Sequence, residues 1–340
     1  MLKKILEKLL HNKHLTNRNE TDSKFLSLKP LPCSFLFVHI PKTAGTSFRK
    51  SVEVKYPTIC DYGKKSLHTS EVIKEYCYSK QDMYTLQRFF NTEKRFLFGH
   101  FLCQKYIDFV DTRHIISFVR DPLEQVISHY NHSVTHLGYE DGFHDFIVMP
   151  KNCNIQSRYM DALPFSLCGF IGLTENYAKS LDFINKNYGL EIDFSEDNVG
   201  QKKIQTKHAL TAKQRETIEE QNSLDIVLIN QVKTIFLQRI AYQEKMINWV
   251  HGSGNINPNN ILVGCPYYEK LDKAVQLELF VNNELVTQFK ADQFTNLYPK
   301  AKFPRARYIG FHINLNNFKH VTQVQLKVKE TGQIIFEKII

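Results

Sequence analysis

A short apolar run followed by polar and small residues makes positions 35–48 the most informative stretch of the 340-residue chain. Residues 35–40 have the length and composition of a buried strand, and residues 41–45 predict a tight turn. The pattern then predicts a helix that starts at Thr46 or Ser47. A strand that passes through a glycine-bearing turn into a helix N-terminus is typical of a phosphate or sulfate site, since free N–H groups and the positive helix end meet there.

Apolar runs and helical periodicity alternate through the first two thirds of the chain. Strands are expected at 95–101, 113–119 and 167–173, and the fully apolar centre of the second predicts a central parallel strand. Helical spacing of apolar residues follows the second and the third of these strands, and a further helical stretch runs from Thr211, with one break, to Trp249. We therefore expect an α/β fold, with a P-loop-like parallel sheet flanked by helices on both faces.

Two helix starts can be assigned from capping signals. Asp121 is a good N-cap and Pro122 a good first helical residue. Thr211 followed by Gln214 predicts a capping box. Residues 189–209 between these helices are predicted to form a polar loop with a basic cluster.

The pattern changes after residue 250. Residues 251–260 are rich in turn formers and predict a linker, while 261–340 contains short alternating strands separated by turns such as Asn282-Asn283. A small antiparallel β-sandwich is expected there. The predicted organisation is an N-terminal amphipathic helix and linker at 1–30, a main domain at 31–250, the linker and the β-sandwich accessory domain.

The formal net charge of +9 suits an anionic cofactor, an anionic substrate or a membrane surface. No nucleic-acid-binding motif of known spacing occurs, so we expect no nucleic-acid partner.

The seven cysteines form no C-x-x-C pair, which argues against a zinc site or disulfide framework and favours a reducing, cytoplasmic compartment.

The first ten residues place Leu2, Ile5, Leu6, Leu9 and Leu10 on one helical face with lysines opposite. Such a helix could lie on a membrane surface as a peripheral contact or dock on the domain. No apolar run reaches the length needed to span a bilayer. Cytoplasmic localisation with membrane association through this helix is therefore one expectation.

The turn at 41–45 and the helix start after it carry the side chains expected of an anion site. Lys42 supplies a mobile positive charge, and Thr43, Thr46 and Ser47 supply hydroxyl donors. The pattern is not the G-x-x-x-x-G-K-[ST] loop of nucleoside triphosphatases, because Lys42 comes first and one glycine is present. An ordinary strand–turn–helix corner with a solvated lysine is the bland alternative.

The order P-K-T-A-G-T-S resembles the 5′-phosphosulfate loop of sulfotransferases, which use 3′-phosphoadenosine 5′-phosphosulfate (PAPS) as donor and release 3′-phosphoadenosine 5′-phosphate (PAP). The resemblance implies that the whole loop binds the donor, with Thr46 or Ser47 on the 5′-phosphate. The donor-binding loop residues are Lys42, Thr43, Ala44, Gly45, Thr46 and Ser47.

Arg120 leaves the carboxyl end of a predicted central strand, where ligands of open α/β sheets gather, and Ser128 follows two helical turns later. A guanidinium and a hydroxyl can grip one phosphate together. The pattern R-D-P-x-x-x-x-x-S resembles the 3′-phosphate motif of sulfotransferases. A salt bridge from Arg120 to Asp121 or Glu124 is the alternative.

Further segments resemble the carbohydrate (heparan sulfate 2-O-sulfotransferase-like) branch, in its bacterial type. The segment at 98–101 resembles that branch's G-H segment, which implies that His100 is the catalytic base. The segments around 154–158 and 169–175 imply acceptor contacts by Asn154, Arg158 and Glu175. A sulfuryl group carries one negative charge, so no metal is expected, and Lys42 would stabilise charge on the leaving oxygen.

The sequence therefore predicts a carbohydrate O-sulfotransferase of polysaccharide biosynthesis, which transfers a sulfuryl group to a hydroxyl of a glycan or glycolipid. Two other interpretations stay open. A nucleotide kinase-type phosphotransferase would need a magnesium-binding carboxylate and a late lysine, and a non-catalytic glycan-binding protein could keep the fold. The acceptor sugar, its hydroxyl position, the oligomeric state and the role of the C-terminal β-domain are left undecided, as is the base if it is not His100; His39, His129 and His132 also lie near the predicted site.

Overall fold

The computed structural model describes residues 28–194 and 209–340. The predicted N-terminal amphipathic helix and most of the predicted basic loop at 189–209 lie outside these ranges. The helices are α1 (Gly45–Glu53), α2 (Met83–Thr92), α3 (Pro122–Leu137), α4 (Phe143–Val148), α5 (Ile155–Met160), α6 (Tyr177–Tyr188), α7 (Ala212–Gln221) and α8 (Ser223–Glu244), with one helical turn Glu71–Ile73 that passes into a π-helical segment Lys74–Ser79.

A five-stranded, entirely parallel sheet forms the centre of the molecule, in the order β2-β3-β1-β4-β5. The α/β prediction is confirmed, because helices flank this sheet. Strand β2 was not predicted; it occupies one edge of the sheet. The strands are β1 (Phe35–Val38), β2 (Thr58–Asp61), β3 (Phe96–Gly99), β4 (Ile115–Val119) and β5 (Phe170–Leu173).

Stacked phenylalanine rings fill one face of the central strands. Phe35 stacks on Phe96 with ring centroids 4.7 Å apart, and Phe37 packs on Phe98 at 5.1 Å. Helix α1 covers these rings, with the centroid of Phe48 4.8 Å from that of Phe37. All five side chains are fully buried, and each contributes about 1.5–3 kcal/mol through the hydrophobic effect. This packing fixes where β1 ends and α1 begins, and therefore holds the loop between them.

The C-terminal part is built from antiparallel sheets, as predicted. A sheet in the order β11-β10-β14-β15 packs against another in the order β12-β13-β8-β7 around a second apolar core, and β6 pairs with β9. The strands are β6 (Val250–His251), β7 (Gly254–Ile256), β8 (Ile261–Gly264), β9 (Tyr267–Tyr268), β10 (Val275–Val281), β11 (Glu284–Ala291), β12 (Gln293–Phe294), β13 (Tyr308–Asn314), β14 (Gln323–Val328) and β15 (Ile334–Ile339).

Residues 251–260, which the sequence predicted to be a linker, contain the end of β6 and the whole of β7. Pairing of β6 with β9 and of β7 with β8 makes the segment part of the antiparallel region. The predicted turn at Asn282-Asn283 is confirmed: both residues have positive φ, 50° and 68°, and join β10 to β11.

The antiparallel region contacts the amino ends of the parallel strands. The buried Tyr267 hydroxyl is hydrogen-bonded to the Thr112 hydroxyl at 2.8 Å, and it donates to the carbonyl of Leu167. Thr112 precedes β4 and Leu167 precedes β5. The contacts therefore lie at the edge of the sheet opposite to the one where the loop 39–45 emerges.

Candidate anion and proton-transfer site

The loop between β1 and α1 has an unusual backbone. Lys42 and Ala44 lie in the left-handed region, with φ of 66° and 67°. Such conformations cost about 1–3 kcal/mol each for residues other than glycine, and they turn successive N–H groups toward one point. Helix α1 begins after Ala44 without a side-chain cap, so the N–H groups of its first turn have no intrahelical acceptor. The backbone alone thus offers a site for an anion.

Gly45 allows the loop to lie directly on His39. A Cβ at position 45 would stand 2.2 Å from Cδ2 of the His39 ring, far inside contact distance. The ring of His39 is 3% exposed, and its Nδ1 is hydrogen-bonded to the Tyr62 hydroxyl at 2.8 Å. The single glycine of the loop is therefore required for a close approach.

Two hydrogen bonds hold the loop in place. The Thr43 hydroxyl donates to the carbonyl of Ile40 at 2.9 Å, and the Gln125 amide on α3 donates to the carbonyl of Pro41 at 3.0 Å. Thr43 is buried, whereas Thr46 is exposed at the start of α1. Of the predicted hydroxyl donors, Thr43 thus supports the loop from within, and Thr46 is accessible from solvent.

Lys42 and Arg120 come together at the loop. The Arg120 Nη1 is 3.5 Å from the Lys42 carbonyl, and both side chains are half-buried. Burial, and then the Arg120 charge, lower the pKa of Lys42. The carboxylate of Glu124 lies 3.4 Å from Arg120 Nη2, so the alternative salt bridge is also present at a long distance. Two cations beside one carboxylate leave the site short of negative charge, which a bound anion would supply.

Gln156 on α5 positions Arg120 and was not predicted. Its buried amide accepts from the Arg120 N–H at 2.8 Å and donates to the Arg120 carbonyl at 2.9 Å. The carboxylate of Asp225 accepts the N–H of Gln156 at 3.0 Å and so holds the start of α5 in turn. Arg120 and Gln156 are 36 residues apart along the chain, and Gln156 and Asp225 are 69 apart, so no local pattern could have linked them.

His100 follows β3 and meets His39 at the same edge of the sheet. Its Nδ1–H donates to the His39 carbonyl at 2.6 Å, which leaves Nε2 without a proton in the neutral ring. The centroids of the two imidazole rings are 4.4 Å apart. Part of the His100 ring is exposed, yet burial of the rest and the charges of Arg49 and Lys42 lower its pKa. A neutral histidine with an accessible Nε2 is a competent general base.

Two further histidines from α3 lie within electrostatic reach of Lys42. Burial, and then the charges of His132 and Lys42, lower the pKa of His129 to about 4. The Nδ1 of His129 has no hydrogen-bond partner in the described ranges. Burial and Lys42 also lower the pKa of His132. His129 and His132 are therefore neutral at pH 7, like His100. All three histidines lie near the loop that carries Lys42.

Helix α3 starts as predicted. The Asp121 carboxylate accepts the N–H of Glu124 at 3.1 Å, and Pro122 is the first helical residue. Glu175 accepts the N–H of Asp121 at 2.6 Å, so its carboxylate stands at this helix start. Ser128 is half-buried in α3, about 9 Å along the helix axis from Pro122. Arg120, Ser128 and Glu175 therefore lie on or beside the N-terminal half of one helix.

Asn154 and Arg158 belong to the start of α5 and to its contact with α8. The Asn154 carboxamide oxygen accepts the N–H groups of Leu224 and Asp225 at 3.0 and 3.2 Å, and so caps α8. Arg158 is exposed and donates to the Lys151 carbonyl at 2.7 Å. These contacts give Asn154 a structural role, while the guanidinium of Arg158 is accessible.

The described ranges contain neither a cluster of metal ligands nor a membrane helix. There, no group of three or more His, Cys, Asp and Glu side chains has the arrangement of a metal site. Within residues 28–194 and 209–340, no helix combines the length and apolar character that crossing a bilayer requires.

Comparisons with known proteins give partial structural likenesses. No family model and no curated protein matches the chain. It is similar to the crystal structure of a sulfotransferase from Alicyclobacillus acidocaldarius, with 13% identity, a TM-score of 0.36 and coverage of 59% of this chain and 95% of that one. A mouse sulfotransferase crystallised with PAP gives 12% identity, a TM-score of 0.37 and coverage of 60% and 90%. The chemistry of the site has to be deduced from its own residues.

Proposed function

We propose that this protein is a sulfotransferase that takes PAPS as donor and a hydroxyl of a saccharide or glycolipid as acceptor. The observation that carries the proposal is the meeting of Lys42 and Arg120 beside the uncapped N-terminus of α1, at the carboxyl edge of a parallel sheet. The order P-K-T-A-G-T-S and the pattern around Arg120 resemble the two phosphate motifs of sulfotransferases.

The residues present fit a nucleotide with two phosphate positions. The left-handed backbone at Lys42 and Ala44, the first-turn N–H groups of α1 and the hydroxyl of Thr46 suit the 5′-phosphosulfate. Arg120, positioned by Gln156, suits the 3′-phosphate, with Ser128 as its predicted companion. Ser47 and the inward-facing Thr43 complete the predicted donor loop.

His100 is the proposed base. Its Nδ1–H is fixed on the His39 carbonyl, so Nε2 can accept the proton of the acceptor hydroxyl as the oxygen forms its bond to sulfur. The lowered pKa keeps the ring neutral at pH 7, which this step requires. When bound, the donor supplies the sulfuryl group. The ammonium of Lys42 would stabilise negative charge on the oxygen that leaves with the nucleotide.

The acceptor class rests on resemblance. The segment around His100 resembles the carbohydrate 2-O branch, and Asn154, Arg158 and Glu175 stay predicted acceptor contacts. Arg158 is the most accessible of the three as a partner for an acidic sugar, since its guanidinium is exposed, whereas the oxygens of the other two side chains accept backbone N–H groups.

The direct test is transfer of radiolabelled sulfate from PAPS to a panel of polysaccharides and glycolipids. Labelled product that depends on both the acceptor and Lys42 is expected. PAP should also raise the melting temperature, because a ligand bound by the folded state alone stabilises it. A stabilising effect of ATP with magnesium and none of PAP would instead support the phosphotransferase interpretation. Glycan binding without turnover or a PAP effect would support the non-catalytic one.

A further inference from the structure

Tyr62 lies directly after β2 and contacts both histidines at this edge of the sheet. Its hydroxyl is hydrogen-bonded to Nδ1 of His39 at 2.8 Å. Its ring makes a T-shaped contact with the ring of His100, with centroids 4.9 Å apart and 83° between the planes, and another with the ring of His39 at 5.7 Å. No motif indicated Tyr62, since β2 itself was not predicted. Its contacts place it beside the proposed base.

The ring of His100 needs more support than its hydrogen bond gives. Among the described residues, one hydrogen bond holds this imidazole, from Nδ1–H to the His39 carbonyl. Part of the ring is exposed, so water can compete for that bond. A general base must stay within hydrogen-bond reach of the proton that it removes, and a displacement of about 1 Å can lower the rate about 10²-fold. Contacts with the rings of His39 and Tyr62, at 4.4 and 4.9 Å, limit such a displacement.

The backbone around Tyr62 is itself held by hydrogen bonds. The Tyr62 N–H donates to the Thr69 hydroxyl at 2.9 Å, and that hydroxyl donates to the Gly63 carbonyl at 2.8 Å. The carboxylate of Asp61, which is 1% exposed, accepts the N–H of Gly63 at 3.0 Å. Both neighbours of Tyr62 are thus fixed, and its ring has a defined position before a ligand binds.

The ring of His39 connects this support to the donor loop. It is buried and lies directly against Gly45, where a Cβ would not fit. Burial lowers the pKa of His39 well below its usual range and raises the pKa of the Tyr62 hydroxyl, so both groups are neutral at pH 7. A movement of the His39 ring would therefore disturb its contact with the donor loop and its contact with His100 together.

We propose that Tyr62 is a positioning residue for the general base. Through its hydroxyl on His39 and its ring on His100, it holds Nε2 of His100 in the direction of the acceptor hydroxyl. This role rests on the proposed sulfotransferase function and extends it to a residue that acts through His100. Loss of Tyr62 should therefore lower turnover and leave the affinity for PAP unchanged.

Two variants separate the hydroxyl from the ring. Tyr62→Phe should lower turnover in sulfate transfer about three- to ten-fold, as expected from loss of one hydrogen bond. Tyr62→Leu, which also loses the ring contact, should lower it about 10–100-fold. Calorimetry should give unchanged PAP affinity, which also shows that both variants are folded. Tyr188→Phe is the matched control, because it removes a hydroxyl that donates to the Arg113 carbonyl at 3.0 Å, at the amino end of the sheet; its turnover should match the wild type.

A double-variant cycle tests whether Tyr62 acts through His100. In the His100→Ala background, Tyr62→Phe should cause no further loss of turnover, since the group that it positions is absent. The same loss in both backgrounds would overturn the proposal. A raised KM for the acceptor at unchanged kcat would overturn it too, because Tyr62 would then be an acceptor contact.

Imidazole NMR tests the positioning without any substrate. Long-range ¹H–¹⁵N spectra, assigned with His100→Ala, should show His100 protonated at Nδ1 in the wild type and a mixture of both tautomers in Tyr62→Leu. One unchanged tautomer in Tyr62→Leu would overturn the proposal even if the enzyme is active. A change of tautomer in a protein that sulfates no acceptor would support the positioning and contradict the proposed reaction, so the two failures can be told apart.

Discussion

The two ends of the parallel sheet each carry an arginine, and the two are held in opposite ways. Arg239, at the amino end, is 4% exposed, bound to a carbonyl and to the Glu269 carboxylate, and enclosed by three aromatic rings within 5.5 Å of its guanidinium. Arg120, at the carboxyl end, is half-buried, and its nearest charge partner is Glu124 at 3.4 Å.

The difference separates a structural charge from one available to a ligand. Burial raises the pKa of Glu269, but the charges and hydrogen bonds of Arg239 and His251 together outweigh burial and lower that pKa to about 2. The carboxylate is therefore ionised, and its hydrogen bonds are made within the protein. At Arg120 the backbone is fixed firmly by Gln156, while the guanidinium has long contacts only. A firmly held backbone with a loosely engaged guanidinium is the arrangement expected of a phosphate ligand.

The largest effect is expected from His100→Ala at the carboxyl end. Loss of a general base typically lowers turnover about 10²–10⁴-fold, and PAP affinity should stay nearly unchanged, because the base faces the acceptor. Sulfate transfer and calorimetric PAP binding measure the two separately, with the exposed His144→Ala as control. Normal turnover in His100→Ala would move the role to His39, His129, His132 or a carboxylate such as Glu175.

Arg239→Ala tests the amino end. It leaves the Glu269 carboxylate buried without its partner, so the free energy of unfolding should fall by about 3–5 kcal/mol. Denaturant unfolding measures the loss, and Arg88→Ala on the surface of α2 is the control. A stable Arg239→Ala protein that has lost only catalytic activity would contradict the division between the two ends.

Arg120→Ala should affect ligand binding rather than stability, in contrast to Arg239→Ala. We expect PAP affinity to fall by about 2–4 kcal/mol, since a charge-assisted contact to phosphate is lost, with little change in stability. Lys42→Ala should reduce both donor affinity and turnover, because its charge meets the donor before and during the reaction. Calorimetry with PAP decides the point; equal affinity in wild type and Arg120→Ala would remove Arg120 from the site.

Acidification should destabilise the fold in part through His129 at the carboxyl end. The pKa of His129 is about 4 in the folded protein and near 6.5 when unfolded, so between these values the unfolded chain binds more protons. Stability is therefore lost as the pH falls below about 6.5, by at most about 1.4 kcal/mol per pH unit from one such histidine. In the His129→Phe protein the melting temperature should depend less steeply on pH than in the wild type. The same pH dependence in both proteins would show that the pKa of His129 is not lowered by folding.

Ser128→Ala should give the smallest effect. One hydroxyl hydrogen bond to a phosphate contributes about 1 kcal/mol, so PAP affinity should fall about five-fold. Thr135→Ala, an exposed hydroxyl on the same helix, is the control. A loss of PAP affinity as large as that of Arg120→Ala would mean that Ser128 positions helix α3. Denaturant unfolding would then show that the Ser128→Ala protein is also less stable.

Local signals made part of this arrangement predictable. The strand–turn–helix at 35–48, the Asp121 cap and the capping box of Thr211 with Gln214 each lie within a few residues of sequence, and the structure has all three. Contact between distant segments could not be predicted in this way. The Gln156 clamp on Arg120, the pairing of Arg239 with Glu269 and the edge strand β2 depend on chain segments that meet only after folding.

The same limit applies within the site. The sequence placed Lys42 and Arg120 in two motifs 78 residues apart, and the distance of 3.5 Å between the Arg120 guanidinium and the Lys42 carbonyl comes from the order of β1 and β4 as neighbouring strands. The capping of α8 by the Asn154 carboxamide could not be predicted either, because its partner Leu224 lies 70 residues further along the chain. Residue type predicted the chemistry, and topology decided which groups are free to perform it.

The left-handed backbone at Lys42 and Ala44 has a consequence for the entropy of binding. A flexible loop would lose conformational freedom each time it closed around a phosphate, and affinity would be lower by that amount. Here the freedom is already lost when the chain folds, since packing of β1 and α1 holds both residues in their rare conformation. Folding therefore includes a free-energy cost that a flexible loop would incur at each binding event. A loop without this strained backbone would make the protein more stable but would bind the phosphate more weakly.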